Sequence, residues 1–230
     1  MWLLTRYDDV RQALRDNRLS SNITLPGFPT YGLPGRDTPE FARSIIRLDA
    51  PEHTRLRRLT AGEFTPSAVA RHEPLVVSLV TELLDDLGAG GPPGDFVGGF
   101  ALALPSAVIS RLLGVPPEDH EFFENATRAH TSRDASDADV AASLTEFHAY
   151  MRTLAERKRR DPGDDVISRL MDHESAGVLT LDEVASYALL LVAAGHDTTA
   201  GALALGILTL VQDPAQLDLV GHQSDGWERA

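Results

Sequence analysis

His53 and Arg57 stand four residues apart in the run Leu48-Asp49-Ala50-Pro51-Glu52-His53-Thr54-Arg55-Leu56-Arg57-Arg58-Leu59. That spacing is just over one helical turn, so both side chains project from one face. An imidazole and a guanidinium stacked in this way offer two donors to a carboxylate or phosphate, and the guanidinium can grip it bidentately. Arg55 and Arg58 point elsewhere. A solvated basic helix face is the plainer reading of the same residues. A second group is Gly195-His196-Asp197-Thr198-Thr199, where Asp197 and Thr198 interrupt an otherwise apolar stretch. Gly195 lets a ligand approach the backbone. Thr198 can bond back toward the carbonyl one turn earlier and loosen the helix. An acid beside an alcohol can relay protons to a bound ligand. A capping or packing cluster in a core helix is the alternative.

The elements that must carry these residues are mostly helical. Leu3 and its neighbours, residues 2–5, read as a short strand, and Tyr7, Val10, Ala13 and Leu14 then share one helical face. Residues 22–39 are rich in Gly and Pro and read as a long irregular loop. Pro51 suits a first helical position, with Asp49 or Ala50 ahead of it as a cap. Further helices start at Thr65-Pro66 and after Pro74, the second ending near Leu87, before the Gly- and Pro-rich breaker 88–94. Residues 100–113 form a helix closed by Gly114 and Pro116-Pro117. Residues 118–128 and 140–160 carry helical periodicity, and Asp161-Pro162-Gly163-Asp164 is a turn. Val166, Ile167, Leu170 and Met171 mark a short helix. Thr180-Leu181-Asp182-Glu183 is a capping box that opens a long helix to about Gln212, and Asp213-Pro214 ends it.

Composition limits what this framework can do. The chain has 230 residues, with Lys+Arg 21 against Asp+Glu 34 and a net charge of −13. Nucleic acids and anionic membranes both demand a basic footprint, so neither is expected as a partner. There is no cysteine, which excludes disulfides, thiol catalysis, Cys-based zinc sites and iron–sulfur clusters within these residues. The histidines show no metal-binding spacing. The single lysine, Lys158, lies in Glu156-Arg157-Lys158-Arg159-Arg160, outside any phosphate-loop pattern, and reads as solvated. The stretch 184–211 is apolar enough to resemble a membrane span. However, Asp197 at its centre is costly in lipid, and the run 187–194 before it is too short to cross alone. A long buried helix is therefore expected. The N-terminus has no apolar signal core, so a cytoplasmic location is expected.

Taken in order, the segments resemble those of soluble bacterial cytochromes P-450. Trp2 to Val10 is similar to the early strand and helix of that family. Asp49 to Arg58 is similar to its C-helix signature. Leu191-Val192-Ala193-Ala194-Gly195-His196-Asp197-Thr198-Thr199 is similar to its I-helix oxygen-activation motif. The scarcity of lysine beside abundant Ala, Arg and Gly fits a GC-rich, actinobacterial-type gene. The resemblance implies a mainly α, truncated cytochrome P-450 fold, with helices roughly B to J, minor β and a long central I helix. It also implies a haem cofactor. His53 and Arg57 would then hold the haem propionates, and Ala194 and Gly195 would line the space above the haem. Asp197 and Thr198 would be the acid–alcohol pair that supplies protons during oxygen activation. The loop 22–39, residues from Phe100 onward and the helices within 118–160 would shape access for a small hydrophobic substrate. Electrons would come from a ferredoxin or a reductase.

In this family a cysteine thiolate holds the iron, and this chain has none. The family's Glu-x-x-Arg helix and haem-binding loop follow the I helix and are not found here. Residues 1–220 are accordingly expected to form a partial P-450 domain. The pattern is lost at 221–230, which reads as a frameshift, a gene break or a sequencing error. The expected function is that of an incomplete haem-thiolate monooxygenase, inactive unless a separate C-terminal half supplies the thiolate. The alternative is a haem-free helper with the same fold that binds a partner enzyme.

Overall fold

The computed structural model describes residues 3–28, 44–129 and 136–222. Ten α-helices occur among them: α1 (Tyr7–Ala13), α2 (Glu52–Thr60), α3 (Pro66–Ala70), α4 (Glu73–Ala89), α5 (Ala103–Leu112), α6 (His120–Ala129), α7 (Asp137–Arg160), α8 (Val166–Ser175), α9 (Leu181–Gln212) and α10 (Pro214–His222). They group into two compact units. The first comprises residues 1–71 and 112–191, and the second residues 72–111 and 192–230.

In the first unit, α6, α7, α8 and the opening turns of α9 bury an apolar core. Phe123, Phe147, Met151, Leu154, Ile167 and Val184 are almost wholly inaccessible. Phe123 and Phe147 meet edge to face with ring centroids 5.4 Å apart, the arrangement their quadrupoles favour. Several helix starts carry side-chain caps, and those at Thr65 and Thr180 are predicted by the sequence. Thr65 caps α3 ahead of Pro66. Ser136 and Asp139 form a reciprocal capping box on α7, and Asp165 caps α8 through the Ser168 amide at 2.7 Å. Thr180 and Glu183 close the box that opens α9: the Thr180 amide donates to the Glu183 carboxylate at 2.8 Å, and the Glu183 amide to Thr180 Oγ1 at 3.2 Å.

The second unit contains α4, a π-helical turn at Val97–Ala101, α5, the rest of α9 and α10. Phe96 and Phe100 stack across the π turn at 5.1 Å. The sequence predicts a regular helix from Phe100. The regular helix begins instead at Ala103, because the wider turn takes in Phe100 and Ala101; Gly98 and Gly99 cost little in its non-standard backbone.

Three expectations are corrected, and one predicted helix face stands exposed. No strand occurs among the described residues, and Leu3–Thr5 are irregular; a lone extended segment without a hydrogen-bonded neighbour is not a sheet. The α1 face of Tyr7, Val10 and Leu14 forms at the predicted spacing but is exposed, Leu14 by 83%. Pro51 caps α2 rather than starting it, and Asp49 is not the cap. The Asp49 carboxylate accepts instead from the Ser20 hydroxyl and, at 2.9 Å, the Ser21 amide. Lys158 is not solvated: its Nζ lies 2.8 Å from Asp165 Oδ2, with the two side chains 17% and 4% exposed. Of the predicted loop at 22–39, residues 29–39 lie outside the described residues, as do 223–230 of the tail.

Candidate functional site

α2 forms because Pro51 fixes its entry and Glu52 complements its positive end, with Arg57 and Arg58 complementing the other. Its inward face is set by Leu56 and Thr60, both buried, and the Thr60 hydroxyl donates to the Leu56 carbonyl at 3.1 Å. Arg55 fixes the helix against the start of α9. Its guanidinium donates to the Val178 carbonyl at 2.9 Å and pairs with Glu183. Burial works to raise the Glu183 carboxyl, but the Thr180 amide and the Arg55 guanidinium outweigh it and hold the group below the usual carboxylate range. One carboxylate thus caps α9 and anchors α2.

With Arg55 committed, His53 and Arg57 remain on another face. His53 is half-buried and Arg57 exposed. The Arg57 side chain makes no hydrogen bond or ion pair among the described residues, although its charge reaches Tyr187. Burial raises the Tyr187 hydroxyl, and the Thr60 bond and Arg57 oppose that rise. Near His53, the Asp49 carboxyl is held low by the Ser20 hydroxyl and the Ser21 amide, with a smaller contribution from His53. The structure therefore brings His53 and Arg57 to one side of one helix, with donors available to an anion.

The second group lies in α9 within the second unit and is described there by itself. The predicted back-bond forms, with the Thr198 hydroxyl donating to the Ala194 carbonyl at 2.5 Å. It does not open the helix, which stays α-helical from Leu181 to Gln212. Gly195 is half-buried, and a Cβ placed there would meet Ile109 Cδ1 at 3.9 Å, an ordinary contact. The protein's own packing does not require a glycine at this position.

Asp197 and Thr198 are exposed rather than buried, the Asp197 side chain by 42%. The buried polar residue is His196, whose side chain is 6% exposed and whose Nδ1 lies 2.8 Å from Asp197 Oδ1. The cause is helical phase. Val192, His196 and Ala200 recur every four residues on the inward stripe, while Ala194, Asp197 and Thr198 fall on the opposite side. Sequence reasoning missed His196 as the partner of Asp197. The signal available was its i+4 relation to Val192 and Ala200.

Within the first unit, the α2 donor pair matches a pair of propionates in chemistry. Within the second, the α9 face offers an acid and an alcohol. No cysteine occurs in the 230 residues, so no thiolate ligand for a haem iron can come from them.

No protein-family model matches the chain. Among curated proteins, cytochrome P450-SU2 of Streptomyces griseolus is 40% identical over 216 residues, covering 94% of this chain and 53% of that protein. Pentalenic acid synthase of Streptomyces avermitilis is 38% identical over 218 residues, covering 94% and 54%. The crystal structure of GfsF matches with a TM-score of 0.85 at 34% identity, covering 96% of this chain and 55% of that one. A mycinamicin VIII hydroxylase from Micromonospora griseorubida, bound to mycinamicin VIII, matches with a TM-score of 0.80 at 33% identity, covering 96% and 56%. The chain spans about half the length of the curated relatives it matches. Over the half of the fold that it spans, the chain belongs to the cytochrome P450 family.

Proposed function

We propose that the chain is the haem-cradling and proton-supplying part of a cytochrome P450 monooxygenase acting on a small hydrophobic substrate in the cytoplasm, with electrons from a ferredoxin or a reductase. Residues 1–220 form the partial P450 domain, and the sequence pattern of the family is lost at 221–230. A haem bound through a thiolate would supply dioxygen activation. His53 and Arg57 would hold its propionates by charge-assisted hydrogen bonds. Ala194 and Gly195 leave room beside the α9 backbone for the cofactor and substrate. The Thr198 hydroxyl, anchored on the Ala194 carbonyl, and the Asp197 carboxylate, held by His196, hold and pass on protons at the exposed face of α9. Lacking a thiolate, the chain alone is inactive.

One observation carries the anion-binding assignment. On α2, Arg55 is engaged with Glu183, whereas Arg57 and Arg58 have no such partner among the described residues, and of these two only Arg57 shares a helix face with half-buried His53. The test is binding of haem against its dimethyl ester, in which both carboxylates are blocked. The chain should prefer the free acid roughly tenfold, as one lost charge-assisted hydrogen bond would give. Arg57→Ala should abolish that preference. A preference that survives in the variant sinks the assignment. Absence of haem binding, with helical content unchanged, favours the helper reading instead.

A further inference from the structure

Two buried polar side chains occur among the described residues of α9, Ser186 and His196. Ser186 meets His148 of α7 at 3.2 Å. His196, on the inward stripe within the second unit, turns instead to its own neighbour in the chain. Its side chain is 6% exposed, and its Nδ1 lies 2.8 Å from Asp197 Oδ1. Burying an imidazole is costly unless its polar atoms find partners. Consecutive helix residues project about 100° apart and do not face each other. The bond therefore forms only where the carboxylate leans back across the edge of the helix, and Asp197 is turned in one direction. Its Oδ2 makes no hydrogen bond among the described residues, and the side chain is 42% exposed. Thr198 is tied separately, through its hydroxyl to the Ala194 carbonyl. Acid and alcohol are thus each fixed by a partner of their own.

We propose that His196 is a positioning residue: it donates from Nδ1 to Asp197 Oδ1, which fixes the carboxylate and leaves Oδ2 as the atom that takes up and releases protons on the exposed face of α9. The inference rests on the acid–alcohol reading of that face given above. It divides the work of one carboxylate between its two oxygens. A carboxylate free to turn would present either oxygen in any direction, whereas proton transfer needs a group held within hydrogen-bond reach of the atom it serves. The division also dictates the state of the imidazole. A bare Nδ1 facing a carboxylate oxygen would set two acceptors against each other, so the neutral ring carries its proton on Nδ1. An apolar residue would fill the same place on the inward stripe, as Val192 and Ala200 do one turn to either side, but would leave Asp197 without a donor.

The experiment is nuclear magnetic resonance on the full chain with isotopically labelled histidine and aspartate, without haem. At about pH 8, where an ordinary imidazole is neutral, the ring nitrogens of His196 should show the proton on Nδ1. Asp197→Ala removes the acceptor and should shift the ratio of the two tautomers roughly tenfold toward Nε2, the effect of one lost charge-assisted hydrogen bond. Three-bond couplings to the Asp197 carboxyl carbon should report one side-chain rotamer in the parent and an average of several in His196→Phe. His196→Asn, whose amide can donate from nearly the place of Nδ1, should restore the single rotamer. An imidazole that only fills space would not be rescued by a smaller polar residue. The proposal is overturned if Nδ1 of the parent is unprotonated, if Asp197 keeps one rotamer in a folded His196→Phe, or if the asparagine behaves as the phenylalanine does. Should His196→Phe fail to fold, the parent's tautomer and its response to Asp197→Ala decide. In a completed enzyme, His196→Phe should divert electrons from product and His196→Asn should restore coupling. Coupling that ignores Asp197→Ala would sink the relay reading while leaving the tautomer and rotamers as found, so the two failures are told apart.

Discussion

At the residue scale, Asp165 is the most constrained carboxylate in the first unit. It is 4% exposed, caps α8 through the Ser168 amide and hydroxyl, and meets Lys158 Nζ at 2.8 Å. Gly114, at φ +68°, is fitted against the same pair. A Cβ there would lie 2.4 Å from Asp165 Oδ2 and 2.6 Å from Lys158 Nζ. Lys158→Met should therefore cost about 3–5 kcal/mol, because it strands a buried charge, and urea unfolding would measure the loss. An effect below about 1 kcal/mol would place the pair in solvent. Gly114→Ala should also destabilise, through both the left-handed backbone and the collision, and the two losses should not add because they share Asp165. The sequence marked Gly114 correctly as a helix stop. It gave no sign that Lys158 is buried, because its neighbours in the sequence are arginines and its partner comes from the turn before α8. Within the proposed site, Thr198→Ala in a completed enzyme should leave substrate binding intact but divert electrons from product; unchanged coupling would remove Thr198 from the proton path.

At the element scale, the hinge between α2 and α9 is one carboxylate. Glu183 caps α9 at Thr180 and pairs with Arg55 of α2. Its carboxyl is held below the usual range in the folded chain, so its contribution to stability is complete above the pKa of an unfolded glutamate. That contribution is lost as the pH falls through the lower, folded value. Glu183→Gln should lower stability at neutral pH by about 2 kcal/mol and flatten the acid limb of the stability profile. A profile parallel to the parent's would show that the carboxylate is not the group responsible. Elements of this kind were legible because their signals are local: the Thr180–Glu183 box, the Thr65-Pro66 start and the Asp213-Pro214 stop each act within one turn. The fate of helix faces was not legible. α1 has the apolar spacing of a core helix and shows that face to solvent, and Asp197 and Thr198 turn outward while His196 turns in. Periodicity states which residues share a face, and only packing decides which face is covered.

At the scale of the whole molecule, α9 passes from one unit into the other at residues 191 and 192. Before that point it is set in a filled core, with Val184, Ala185, Ala188 and Leu189 at most 2% exposed. Beyond residue 200 every described position of the helix is at least partly exposed, and α10 leaves Leu217 and Leu219 44% and 49% exposed. The helix is long and apolar enough to pass for a membrane span by length and composition alone, but its outward stripe carries Asp197. Local opening follows buried contact rather than helix propensity, and the propensities of the two halves are similar, both rich in Ala and Leu. Hydrogen exchange should therefore fall into two classes along one continuous helix. Amides of 185–191 should open only with global unfolding of the first unit, and those of 202–211 should exchange at least a hundredfold faster, a difference of about 2.7 kcal/mol in opening free energy. Uniform protection along the helix would show that buried contact does not set its local opening.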